Sequence, residues 1–301
     1  ANTDRDSYYG PGNDPLKAYG KTTDLTAMGG AQYVHTFDKC FFMPSDLTAG
    51  LEYNRDRLKD NMWGYNRHTD QTVNIYSAFL QNEWKNDRWG ILIGGRLDKH
   101  NMVDNVIFSP RANLRFNPTQ NINLRLSYSS GFRAPQAFDE DMHIENVGGT
   151  VAMIERAKDL KEEKSQSFSV SADMYHRFGA FQTNLLIEGF YTRLTDVFVL
   201  GKPYDRGDGI LVKTRSNGPG AKVMGLTLEG KVAYLSILQI QAGLTLQRSR
   251  YDEPHKWHDD APAEKKIFRT PDTYGYFTAT CTPIKPLSIA LSGTYTGRML
   301  V

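Results

Sequence analysis

The chain has 301 residues and nearly balances 36 Lys and Arg against 34 Asp and Glu, for a formal net charge of +2. That balance leaves no electrostatic footprint for nucleic acid and excludes it as a partner class. Hydrophobic residues make up 40% and aromatics 12%, yet no apolar run approaches the roughly 18 residues of a membrane-spanning helix.

The opening Ala1-Asn2-Thr3-Asp4 reads as the interior of a loop, so a fragment of a mature protein is expected. The first two dozen residues, rich in Gly, Pro, Asp and Tyr, read as surface loop. A strand is expected from Leu25 to Phe37, turning at Asp38-Lys39, and the next shows Leu47, Ala49, Leu51 and Tyr53 on one face. A polar loop is expected over about 57–70, carrying Trp63, Tyr65 and His68. Strands follow over Thr72 to Trp84 and Trp89 to Leu97, then an alternating run through Ala112, Leu114 and Phe116, which turns at Asn117-Pro118-Thr119-Gln120.

The next segment sets the pattern for the rest. Ile122, Leu124, Leu126 and Tyr128 share one face, with Asn123, Arg125, Ser127 and Ser129 on the other. After a long polar excursion, Phe168, Val170, Ala172 and Met174 oppose Ser167, Ser169, Ser171 and Asp173. A period of two over this length means strands with one apolar and one polar face. Beyond a turn at Arg177-Phe178-Gly179, a long strand is expected from Phe181 to Leu200, and a short one at Ile210 to Thr214. Two strands meet near Ser236, and the second alternates Leu238, Ile240, Ala242, Leu244 and Leu246 with polar residues. A charged loop with His255, Trp257 and His258 precedes a last hairpin turning over Thr282 to Pro286.

This makes about twelve strands of roughly 10–16 residues, against a soluble mode of about 5–6. Tight turns fall at one end and long loops at the other, the asymmetry of outer-membrane barrels. The polar face suits a water-filled lumen and would be costly in a dry core. The fold class expected is therefore all-β: an antiparallel up-and-down transmembrane β-barrel, here an incomplete fragment of about twelve strands. The competing architecture is an antiparallel sheet with a solvated outer face. Cys40 and Cys281 fit no zinc or disulfide framework and read as unpaired thiols.

The run SYSSGFRAPQAFDEDMHI, followed by IERAKDLKEEKSQSFSVSAD, resembles the TonB-dependent outer-membrane receptors. Phe132, Arg133, Ala134 and Pro135 match a box that ends one barrel strand in that family. Lys158 to Glu163 resembles the box that starts the next, without its usual Asn-Pro, and the insertion Phe138 to His143 resembles receptors of the Bacteroides group. The resemblance implies a barrel of 22 strands around an N-terminal plug. Residues 1–301 would be a single piece of that barrel, lacking the plug and the C-terminal strands. It implies location in the bacterial outer membrane and import of a scarce nutrient, an iron–siderophore complex first, with heme or cobalamin as other cargoes. The implied partners are the TonB complex through the missing plug, the extracellular ligand and outer-membrane lipid. No cofactor is expected beyond the transported complex or a bound cation.

Candidate ligand contacts are Arg133, Phe138, Asp139, Asp141, His143, Trp63 and Trp257. Arg133 offers a cation to an anionic ligand; otherwise it pairs with a carboxylate and fixes the loop's exit. The donors Asp139, Asp141 and His143, and the pair His255 and His258, suit a metal ion; otherwise they are solvated loop residues. Under the resemblance, His143 also occupies the interval where heme-taking receptors carry a heme-ligating His. Trp63 and Trp257 can stack on a ligand or sit at a membrane interface. No G-x-S-x-G, H-E-x-x-H or Walker loop is present, so no enzyme activity is expected. A soluble all-β carbohydrate-binding module or glycosidase stays open as the alternative, separable by detergent dependence.

Overall fold

The computed structural model describes residues 1–8, 19–63, 67–136, 145–147, 150–207, 211–256 and 262–300. One large sheet runs in chain order through β1 (Asn2–Tyr8), β2 (Tyr19–Cys40), β3 (Met43–Met62), β4 (Arg67–Lys85), β5 (Trp89–His100), β6 (Ile107–Thr119) and β7 (Ile122–Arg133). It continues through β10 (Glu163–Phe178), β11 (Phe181–Thr195), β15 (Ala221–Tyr234), β16 (Leu238–His255), β18 (Thr273–Ile284) and β19 (Leu287–Thr296), with β17 (Glu264–Lys266) paired to β16. Every pairing in it is antiparallel. Strands β2–β7, β10, β11, β15, β16, β18 and β19 form a twelve-strand wall, as the alternation predicts, and β1 flanks the loop-end half of β2.

Register puts the apolar positions of each strand opposite those of the next. Leu126 pairs with both Leu114 and Val170, Ile187 with Ala172 and Leu228, and Leu228 with Leu244. One face is thus continuously apolar. Aromatic rings bound it in two rows. Toward the tight turns, Phe42 stacks on Trp84, Trp89 on Phe116 (4.2 Å), and Phe181 meets Tyr234 (4.7 Å). Toward the loops, Tyr53 meets Tyr76 (4.9 Å) and Tyr128 meets Phe168 (4.7 Å), with Tyr191 opposite Phe168. From Phe181 to Tyr191 is ten residues. At about 3.3 Å per residue and a tilt of about 40° this spans about 25 Å, the height of an outer-membrane apolar belt.

The opposite face is polar and paired across strands. Ser167 meets Thr192 (2.9 Å) and Thr227 meets Thr245 (3.0 Å). Glu229 accepts from the Tyr276 hydroxyl (2.5 Å) and Gln241 (3.2 Å) and pairs with Lys231 (3.0 Å). Tyr276 reaches Glu229 because its ring lies over its partner Gly243, where a Cβ would come within 2.6 Å of the ring. Arg96 bridges Glu52 (2.6 Å) and Asp98 (2.8 Å). Such polar pairs keep each donor satisfied on a face that water reaches.

Several boundaries differ from the sequence reading. Among the described residues, the expected loops over the first two dozen residues and over 57–70 are mostly strand: β1 pairs with β2, and β3 and β4 pair up to Met62 and Arg67. Above the belt both faces are wet, so alternation fades while the backbone ladder persists. The first turn falls at Phe41-Phe42, not Asp38-Lys39; Phe41 takes the left-handed conformation (φ 61°) and leans on Trp84. The strand expected from Phe181 to Leu200 breaks at Asp196 (φ 54°), and its tail joins another sheet. Cys40 and Cys281 are both free thiols.

The two faces make opposite demands on neighbouring residues. Ala172 faces the apolar side near mid-belt, and Ser171 the polar side. In lipid vesicles Ala172→Arg is expected to lose about 2–4 kcal/mol of folding free energy, whereas Ser171→Arg stays within about 1 kcal/mol. Denaturant titration of refolded protein checks this, and equal losses would refute the facing assigned here.

Candidate binding site at the loop end

The Phe-Arg-Ala-Pro box closes β7 and holds the long excursion to the wall. Arg133 lies opposite Glu163 of β10, its guanidinium 5.5 Å from the Phe198 ring centroid. Glu163 Oε2 accepts from the Phe198 backbone N–H (2.9 Å). Ala134 is buried with Val103 and Ile107, and Phe132 packs against them. Gln136 Oε1 meets His100 Nε2 (3.2 Å), and the Pro135 carbonyl accepts from Arg156 Nη1 (2.8 Å). These contacts seat Arg133 as part of the box's anchor.

Two long loops then build a second sheet: β8 (Glu145–Val147), β9 (Thr150–Arg156), β12 (Phe198–Leu200), β13 (Tyr204–Asp205) and β14 (Leu211–Asn217). Strands β9 and β14 pair in parallel, Ala152 opposite Leu211 and Arg156 opposite Arg215. Asn217 staples the loops together. Its amide donates to Asp196 O (2.8 Å) and Lys161 O (3.1 Å), and its Oδ1 accepts from the Lys161 N–H (2.8 Å). Val197 is buried beneath with Ala221 and Tyr251.

Between this sheet and the tips of β4 and β5 lies a recess of about 750 Å³. Arg67, His68, Arg156, Lys158 and Arg206 line it, with Glu155 as its carboxylate and Met153 buried at its base. Arg67 is held by Asp60 (2.6 Å), which also accepts from Thr22 (2.7 Å). Arg156 bridges to Gln71 (3.0 Å). Lys158 is exposed to the recess, with no bonded partner among the described residues. Cations crowded into a concave, partly desolvated surface favour an anionic guest. A second hollow, walled by Leu51, Tyr53, Tyr76 and Leu97, belongs to the apolar face.

Of the residues proposed from sequence, Trp63 sits at the β3–β4 tip, stacked on Tyr19 (5.3 Å, 8°). His255 ends β16, 6.0 Å from the Tyr251 ring, and burial pushes its pKa down. Phe138, Asp139, Asp141, His143, Trp257 and His258 lie outside the described residues. Among the described residues no group of His, Cys, Asp and Glu gathers as a metal site. Sequence reasoning missed Arg67, Arg156, Arg206 and Asn217. Asn217 and the three arginines carry no local signal, because segments far apart in sequence bring them to their partners.

Residues 1–298 match the family model described as TonB dependent receptor-like, beta-barrel. Sequence comparison with curated proteins finds no match. Among solved structures the chain is similar to the siderophore receptor PirA from Pseudomonas aeruginosa, at 16% identity and TM-score 0.68 over 92% of this chain and 49% of that one. It is also similar to a variant of the ferric enterobactin receptor PfeA from the same organism in complex with enterobactin (18%, 0.70, 98% and 46%). A third is the FrpB iron transporter from Neisseria meningitidis (14%, 0.67, 98% and 46%). The likeness is one of fold, and the chain spans about half the length of each.

The staple and the histidine give two tests. Asn217→Ala removes three hydrogen bonds and is expected to cost the loop sheet about 1–3 kcal/mol, read as faster amide exchange in β9 and β14 with the wall unchanged. Burial disfavours the charged ring of His255 and pushes its folded pKa below the ordinary imidazole range. Its contribution is full above the unfolded pKa of about 6.5 and is lost as pH falls toward the folded value. Protection factors at the loop end of β16 should drop over that interval and stay level in His255→Gln.

Proposed function

We propose that this chain, which belongs to the TonB-dependent receptor β-barrel family of the bacterial outer membrane, supplies wall and mouth to a receptor that captures a scarce nutrient and imports it. Its role is transport rather than catalysis. The cargo is an anionic iron–siderophore complex, and energy for its passage comes through TonB by way of a plug. The observation that carries the cargo is the recess in which Arg67, Arg156, Lys158 and Arg206 converge around a single lining carboxylate, Glu155. Ferric iron, a hard cation, is chelated by oxygen donors, and its catecholate and carboxylate complexes carry net negative charge. Guanidinium and ammonium groups answer that charge with hydrogen bonds stronger than neutral ones. The structures of like fold named as siderophore receptors, ferric enterobactin receptor and iron transporter support the same reading. Lipid meets the apolar face between its two aromatic rows, and the polar face lines the lumen.

Titration of the receptor containing this chain, in detergent, against ferric siderophores, heme and cobalamin tests the proposal. Lys158→Ala removes a charge that holds no other part of the site. It is expected to weaken one ferric siderophore about tenfold, with Arg206→Ala acting in the same direction. Binding of heme or cobalamin alone, or siderophore binding indifferent to both substitutions, would overturn the cargo and the site.

A further inference from the structure

The import reading leaves one buried titratable ring without a part. His100 ends β5 one residue past Lys99, the partner of Tyr76 in the loop-end aromatic row, and it is 0% exposed. Both ring nitrogens are engaged. Nδ1 accepts from the Met102 backbone N–H (3.1 Å), and Nε2 lies 3.2 Å from Gln136 Oε1. A backbone N–H can only donate, so Nδ1 carries no proton and Nε2 donates to Gln136. The network needs the neutral ring in that one tautomer.

Contacts run from this ring to the recess on two sides. Gln136 follows Pro135, whose carbonyl accepts from Arg156 Nη1 (2.8 Å), and the same nitrogen donates to Gln71 (3.0 Å). On the other side the ring closes the β5–β6 turn, where Asn101 and Met102 line the recess and the Val103 N–H donates to the His100 carbonyl (3.1 Å). Few charges face the ring. Asp98, next on the same face of β5, favours a charged imidazole but is already held by Ser77 (2.6 Å) and Arg96 (2.8 Å). On β4 the residue opposite is Ile75. The excursion brings Arg156, and the turn brings Lys99, whose Nζ is held by the Val103 (3.1 Å) and Asp104 (2.7 Å) carbonyls. Burial outweighs the Gln136 bond and the Asp98 charge and pushes the ring's pKa down.

We propose that His100 is a positioning residue for the recess: its neutral ring fixes the box end and the β5–β6 turn so that Arg156 stays at the recess wall, and a proton on Nδ1, set against the Met102 N–H, releases both and weakens binding of the anionic guest. This rests on the recess being the guest's site. The sign separates geometry from charge. A charge added near the recess would by itself strengthen anion binding, so weaker binding in acid reports a lost arrangement.

The test uses the receptor containing this chain, in detergent, with a ferric siderophore that it binds. Affinity is expected to fall about tenfold between about pH 7.5 and about pH 5. His100→Gln keeps a donor toward Gln136 but does not titrate, and should change less than about twofold over that interval. A loss equal in both forms, which would trace to His68 or to the guest itself, overturns the proposal, and so does tighter binding in acid. A second measurement needs no guest. Protection of the Met102 and Val103 amides should fall in step with titration of the His100 ring, read from the NMR shifts of its nitrogens, while β10 and β11 stay level. Protection that stays constant while the ring titrates would overturn the positioning role. This measurement decides even if His100→Gln fails to fold or no siderophore binds, so failure of the cargo reading and failure of the positioning role are told apart.

Discussion

Inside hydrocarbon no water is present to accept a backbone N–H or donate to a carbonyl, so each must find a partner on the next strand. That constraint sets everything else in this wall. It forces long antiparallel ladders, and ladders force parity, since a slip of one residue would turn a whole strand's apolar set toward water. The pairings of Leu114, Leu126 and Val170, and of Ile187, Leu228 and Leu244, are that rule obeyed strand after strand. The polar face follows from the same parity. Its serines, threonines and carboxylates are not a core but a water-side surface, and Glu229 with Tyr276, Gln241 and Lys231 shows how densely it satisfies itself.

Beyond the loop-end aromatic row the constraint relaxes. Water can serve the backbone there, so strands are free to end, bulge or change sheets. Asp196 does so with a left-handed residue, and β12 leaves the wall for the loop sheet. Side chains take over the work of the ladder: Asn217 joins two loops, Arg156 ties the excursion to β4 and to the box, and Ala134 buries the box against the β5–β6 connection. Two of the cations around the recess, Arg67 and Arg156, are held by contacts that also tie down the strand tips and the excursion.

The wall was legible in the sequence because its signal is local. Alternation at Ile122–Tyr128 or Leu238–Leu246 is visible in a window of seven to nine residues, and Tyr128 of the loop-end aromatic row closes the first. The strand extensions of β3 and β4 were not legible, because with water on both faces Arg57, Asp60 and Asp70 look like loop. The turn at Phe41-Phe42 was hidden for a different reason: its residues are hydrophobic and lack turn chemistry, and Trp84 rather than local preference steadies them. The Phe132–Pro135 box was found as a motif, but its neighbours were not. Arg67 and Arg156 come from distant elements, and nothing near either residue announces that they line one recess.

The parallel pairing of β9 with β14 bears on the order in which the molecule comes together. Ala152 and Leu211 are separated in the chain by the whole β10–β11 hairpin. Bringing them side by side first would mean closing that loop at an entropic cost with little gained. Once β10 and β11 have zipped and joined their neighbours, the same two segments are already held at one end of the sheet, and the closure is nearly free. The recess is therefore a late product of assembly. A chain whose wall has not yet formed displays no assembled cluster of cations, and the recess exists only on the finished scaffold.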